Sequence, residues 1–140
     1  AIRRQRQMCI RDSLVPSCVY TSPEIATVGI TPDEAKAQGR AVITGKYVMS
    51  GNGKSIIENE DRGFIKLVFD AETEKLIGAQ LMCGRATDMI GEMVTAVSAG
   101  LTKAQLAMAL HPHPTFCEGI TEAVHVADGH SIHTMPPRRR

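Results

Sequence analysis

The 140-residue sequence predicts an α+β domain: an antiparallel sheet with helices packed on one side. Three observations carry this. β-rich runs come in neighbours joined by short polar turns, the apolar spacing changes from strand-like to helical after Ala86, and a Thr followed three residues later by Glu or Gln recurs at Thr31, Thr102 and Thr115.

Taken in order, VPSCVY (15–20) and ATVGI (26–30) read as two short strands around the turn residues Thr21, Ser22 and Pro23. Thr31-Pro32-Asp33-Glu34 opens a helix, with Thr31 as N-cap, Pro32 in the first turn and Glu34 completing a capping box. Gly39 closes it. AVITGKYVM (41–49) is a third strand. SGNGKSIIENEDRG (50–63) is a polar connection with Ile56 and Ile57 as its apolar anchor. FIKLVFD (64–70) and KLIGAQLMC (75–83) form a hairpin across a short polar loop.

From Ala86 onward, Met89, Ile90, Met93, Val94 and Val97 fall on one helical face, and Gly100 ends that helix. Thr102 with Gln105 starts a short helix to about Leu110. His111-Pro112-His113-Pro114 is extended, since each Pro pushes the residue before it out of the helical region. Thr115 with Glu118 opens a last helix to about Ala127. The domain thus occupies 14–130. Residues 1–13 fit no pattern and read as a non-native or disordered N-terminal segment, and 131–140 read as a flexible tail.

Composition narrows function. The net charge of +1 divides into +3 at each end and −5 across 14–137, and an acidic body argues against nucleic acid as partner. Cys9, Cys18, Cys83 and Cys117 contain no C-x-x-C pair, which gives neither a zinc framework nor a redox dithiol and fits a reducing, cytoplasmic setting. No apolar run approaches the roughly 18 residues of a membrane span, and no secretory signal is legible.

The chemistry concentrates in HPHPTFCE (111–118). His113 sits in a Pro-flanked loop five residues before Glu118, within reach of a carboxylate that could fix its tautomer beside a general base. The same residues admit other readings. Glu118 is also where a capping-box Glu belongs, and either His could simply pack on Pro. Cys117 with His113 could form a thiol–imidazole pair. The His-rich end could bind metal, although its spacings match no standard zinc pattern and no metal ligand is assigned.

VPSCVYTSPEIATVGIT (15–31), GFIKLVFDAETEKLIGAQLMCGRATDMIGEMVTAV (63–97) and HPHPTFCEGITEA (111–123) together resemble the C-terminal dimerisation domain of the pyridine nucleotide-disulfide oxidoreductases. The doubled His-x-His-Pro-Thr is more similar to the dihydrolipoyl dehydrogenase branch than to glutathione reductases. The resemblance implies a homodimer in which His113 is the acid/base at the other subunit's redox disulfide and Glu118 orients it. It also implies that His113 and Pro114 lie against the partner subunit's FAD. Electrons would then pass to FAD and on to NAD, the dithiol being carried by a lipoyl-bearing protein of a multienzyme complex. Mercuric- or glutathione-type reductases, or a stand-alone dimerising module, are the alternatives. The sequence lacks a G-x-G-x-x-G fingerprint and a C-x-x-x-x-C pair, so the chain alone is expected to bind neither cofactor and to be inactive. An apolar interface patch is expected on the Met89/Ile90/Met93/Val97 face or around HPHPT.

Overall fold

In the computed structural model, which describes residues 14–134, five strands form one antiparallel sheet in the order β1-β2-β5-β4-β3. The strands are β1 (Ser17–Val19), β2 (Glu24–Gly29), β3 (Val42–Val48), β4 (Phe64–Asp70) and β5 (Leu76–Cys83). The helices are α1 (Pro32–Ala37), α2 (Gly53–Ile57), α3 (Ala86–Ala99), α4 (Lys103–Ala107) and α5 (Glu118–Asp128). The α+β expectation holds. Both Arg-rich ends, the 1–13 segment and 138–140, lie outside the described residues.

Register explains which face is covered. Ala26 pairs with Leu81, Leu81 with Ile65, and Ile65 with Tyr47, so all four point to one side, where each is buried. On that side α3 lies over β2 and β5 and α5 lies over β3 and β4, which places the two long helices side by side on one face. Alternation sends the next row to the other face: Val19, Ile25, Met82, Phe64 and Val48 line up across all five strands and stay partly exposed. There the ammonium of Lys46 sits 4.6 Å from the Phe64 ring centroid.

Helix starts follow the sequence at two of the three expected boxes. Thr31 with Glu34 and Thr102 with Gln105 each form a complete capping box. Gly39 and Gly100 take the left-handed conformation expected at helix ends. The box at Thr115 is only half formed. Glu118 accepts from the Thr115 N–H at 2.9 Å, but the Thr115 hydroxyl donates to the Pro112 carbonyl at 2.7 Å, and Cys117 takes the N-cap position without a side-chain cap. The Pro-rich approach supplies a carbonyl that a free helix end would not.

Two other expectations fail. Residues 50–63 are not anchored by Ile56 and Ile57, which are 56% and 63% exposed. A turn of 3-10 helix and α2 form there instead, held by buried Met49, Asn52 and Ser55. Asn52 caps α2, accepting from the Ser55 N–H at 2.9 Å, so a polar side chain does the anchoring. On the Met89/Ile90/Met93/Val97 face of α3, Met89, Ile90 and Met93 are buried in the core and Val97 packs against it partly buried, so this face is core rather than interface. The exposed apolar side chains near the expected site are Met108 and Leu110, on the approach to HPHPT.

α3 has no cap of its own. Arg85 precedes it in the left-handed conformation, and the cap comes from the sheet: the Glu24 carboxylate accepts from the Thr87 N–H at 2.8 Å and its hydroxyl at 2.7 Å. The Thr87 hydroxyl and N–H hold the Glu24 pKa below the usual carboxylate range. An anion at a helix N-terminus also opposes the helix dipole favourably. Glu24→Ala should therefore cost about 1 kcal/mol, read as a lower denaturation midpoint with an unchanged denaturant slope. An unchanged midpoint would show that water replaces the cap.

Candidate functional site

The loop between α4 and α5 carries the site, and its floor is set by how closely α5 approaches the sheet. Gly45 of β3 permits that approach: a Cβ there would lie 1.9 Å from the Ala123 carbonyl oxygen. At the start of α5, Gly119 seats against Ile65 and Met49. Glu118 is thereby fixed at the end of a helix whose position the sheet dictates.

His113 stands above it. Its Nδ1 lies 2.8 Å from Glu118 Oε1, and the other Glu118 oxygen accepts from the Thr115 N–H. The carboxylate is thus divided between the ring and the backbone that carries it. Burial pushes the Glu118 pKa up, but the Thr115 N–H and the His113 ring together outweigh it and leave it below the ordinary value. With Nδ1 held, Nε2 is the ring nitrogen with no described partner, and the imidazole is 79% exposed. The peptide bond to Pro114 is cis. Two cavities flank the loop. One of about 130 Å³ is lined by Tyr47, Asn52, His113, Glu118, Glu122 and His133. The other, of about 430 Å³, has Lys54, Arg85, Met89, Pro114, Phe116 and Cys117 in its lining.

The competing readings of these residues separate. The Cys117 thiol is pushed up in pKa by burial and by the nearby Glu92, the opposite of an activated nucleophile, and His113 pairs with Glu118 instead. Cys83 is buried in the core, with a pKa pushed up to about 12 by burial first and then by neighbouring charge. The histidines divide among separate acids. His111 meets Glu92, His113 meets Glu118 and His133 meets Glu122, and among the described residues no group of three or more His, Cys, Asp or Glu side chains is placed to hold a metal ion.

Sequence reasoning missed two contributors. Asn52 Nδ2 donates to the Thr115 carbonyl at 3.0 Å, so the residue capping α2 also holds the site loop. An Asn three residues before Ser55 is a cap signal that was there to be read. His111 joins α3 and α5 through both ring nitrogens, and only its place in the repeated His-Pro hinted at a role.

Several carboxylates share the depressed state. Arg40 and the Thr73 hydrogen bonds hold Asp70 far below the carboxylate range, and the hydrogen bond from Lys103 lowers Asp128. A folded-state pKa below the unfolded one means the unfolded chain takes up protons first as pH falls. The stability these groups confer is present above about pH 4 and is lost progressively below it. Melting temperatures should accordingly stay level from pH 7 to 5 and fall steeply below 4. A melt that rises on acidification would contradict the assignment.

Comparison with known proteins places the fold in a family. Residues 15–124 match the family described as pyridine nucleotide-disulphide oxidoreductase, dimerisation domain. The chain belongs to that family, and the matched portion is its dimerisation domain. Its curated relatives include the dihydrolipoyl dehydrogenase of Bacillus subtilis (strain 168), 43% identical over 86% of this chain and 26% of that protein. Another is the dihydrolipoyl dehydrogenase of Halobacterium salinarum, 38% identical over the same shares. Among solved structures, LpdA from Mycobacterium tuberculosis superposes with a TM-score of 0.76 at 28% identity, covering 81% of this chain and 25% of that one. The HOCl-induced flavoprotein disulfide reductase RclA from Escherichia coli gives 0.77 at 25% identity, covering 80% and 25%. The chain therefore spans about a quarter of the proteins it matches. Among the described residues, no helix is long and apolar enough to cross a membrane.

Proposed function

We propose that this chain is the dimerisation domain of an FAD-dependent dihydrolipoyl dehydrogenase, lending His113 and Glu118 to the dithiol/disulfide site of the partner subunit. NAD is the final acceptor, and the dithiol arrives on a lipoyl-bearing carrier protein of a multienzyme complex. The observation that carries the reading is the His113–Glu118 pair: Nδ1 is fixed at 2.8 Å while the ring stands open outward. A base completing its own pocket would be enclosed; this one is displayed.

The site fits a contributor to a flavin pocket rather than its owner. His113 and Pro114 are exposed and would lie against the edge of a flavin held by another subunit. FAD, when bound, supplies the electron acceptor beside the redox disulfide. The residues here move protons. His113 Nε2 takes a proton from one thiol of the substrate, and the thiolate so formed attacks one sulfur of the redox disulfide, releasing the other as a thiolate. The imidazolium returns that proton to the released enzyme thiolate. His113 Nε2 then takes the proton of the second substrate thiol, and the resulting thiolate displaces the first enzyme sulfur, which takes up the second proton. The substrate closes to a disulfide, leaving the enzyme as the dithiol. Glu118 holds the ring and balances the imidazolium between the two steps.

Mixed dimers test this. One full-length chain carries His113→Gln, and the other carries its redox cysteines changed to Ser. Each homodimer should be inactive, and the mixed dimer should recover up to half of the activity per dimer, because one composite site is intact. A mixed dimer as inactive as its parents would show that the pair does not work across subunits.

A further inference from the structure

We propose that His111 is a positioning residue for the site: with Glu92 and Thr121 it forms a strap that fixes the loop carrying His113 between α3 and α5. The inference rests on reading His113 as the acid/base group.

The loop has little else to hold its first half. Met108 and Leu110 are exposed, Leu110 almost completely at 96%, so neither anchors the chain as it leaves α4. The second half is well held: Phe116 is buried, Asn52 grips the Thr115 carbonyl and Glu118 receives the Thr115 N–H. His113 lies between the halves, and its only described side-chain partner is Glu118. Its direction is therefore set by the backbone on both sides.

His111 supplies the missing hold. Its side chain is 10% exposed, with Nδ1 2.8 Å from Thr121 Oγ1 and Nε2 3.0 and 3.1 Å from the two Glu92 oxygens. A neutral ring protonated at Nε2 satisfies every partner, donating to the carboxylate and accepting the Thr121 hydroxyl proton at Nδ1. A protonated ring donates on both sides, and the hydroxyl only has to rotate. The strap therefore holds in either protonation state. The two histidines of the repeat divide the work: His111 is tied at both nitrogens, and His113 at one. Thr121 lies one helical turn beyond Glu118, so the strap and the orienting acid share α5. Glu92 stands on α3, which connects the loop to the second long helix as well. Supporting bonds of this kind keep a reacting group within the narrow geometry its chemistry needs, and a small misplacement costs up to about 10²-fold in rate.

The test uses the full-length enzyme with His111→Ala, His111→Gln, Glu92→Gln and the double variant His111→Ala/Glu92→Gln, alongside His113→Gln. Oxidation of a small dithiol by the enzyme is followed separately from NADH-driven reduction of an artificial acceptor, which bypasses the site. Thermal melts are recorded for each. His111→Ala should slow the dithiol step about ten- to hundredfold with KM for dithiol within about twofold, and leave the NADH-driven reaction unchanged. The double variant should be no slower than His111→Ala, since both remove one strap. His111→Gln, whose amide can still donate to Glu92, should recover part of the loss. If the dithiol step is unchanged in His111→Ala while His113→Gln is slow, the strap is refuted and the site reading stands. If His113→Gln is also unaffected, the site reading itself fails. Parallel loss of both reactions with a lowered melt would mean that His111 only supports the fold. Should His111→Ala not fold, Glu92→Ala takes its place, because it leaves His111 Nε2 without its acceptor on α3, and a normal dithiol rate there would equally overturn the proposal.

Discussion

In the complete enzyme proposed here, His113→Gln is expected to slow dithiol oxidation by about 10²- to 10⁴-fold, the range for loss of a positioned acid–base group. Gln preserves a hydrogen bond toward Glu118 but cannot take the thiol proton. The defect should be confined to the step that uses the dithiol, so NADH-driven reduction of an artificial acceptor should continue at its normal rate. Rapid-mixing measurement of flavin reduction by dithiol separates the two. The geometry makes this test sharp, because His113 is largely exposed and pairs with a single acid, leaving little fold stability for the substitution to disturb. A normal dithiol rate would remove His113 from the mechanism.

The largest structural effect is expected from Gly45→Ala. A methyl there would sit 1.9 Å from the Ala123 carbonyl and 2.9 Å from both the Cβ and the backbone nitrogen of Ala127. All of these are parts of α5 that cannot rotate aside, so the helix must lift from β3. Overpacking of this kind costs about 3 kcal/mol, equivalent to roughly 10 °C or more in melting temperature for a domain of this size. Because α5 begins at Glu118, the same lift should draw the carboxylate away from His113. Destabilisation and a slower dithiol step should therefore appear together. A melting temperature within a degree or two of wild type would mean that α5 is seated less rigidly than its contacts imply.

Much of the fold was legible in the sequence because its signals are local. Thr31 and Thr102 announced helix starts through residues three positions away, Gly39 and Gly100 marked ends, and the β4–β5 hairpin was written in two apolar runs around a polar turn. What failed depended on distant partners. Glu24 caps a helix that begins far along the chain, and nothing near Pro23 declares it. Ile56 and Ile57 looked like an anchor by composition, yet Asn52 does the work through a bond to Thr115. Met89, Ile90 and Met93 showed a helical face clearly, but periodicity says only that a face is apolar. Whether it meets the sheet or a second subunit depends on what else covers it. At the site, the His113–Glu118 spacing made pairing plausible, and the resemblance to a known family gave it a role. The strap at His111 needed three elements to be seen together.

The strand order has a consequence for how the domain assembles. β4 and β5 join through a short turn and β3 adds to β4, so half the sheet can form from contiguous chain. β1 and β2 leave the ribosome earlier, yet the partner of β2 is β5, with most of the sheet's sequence between them. Closing that long loop carries a larger entropic cost than the β3–β4 or β4–β5 pairing. Until it happens Ile25, Ala26 and Val28 have no sheet to shelter them, and the carboxylate that caps α3 has no helix to cap. The N-terminal strands are thus made early and placed late, and that interval is when the nascent domain is most open to mispairing.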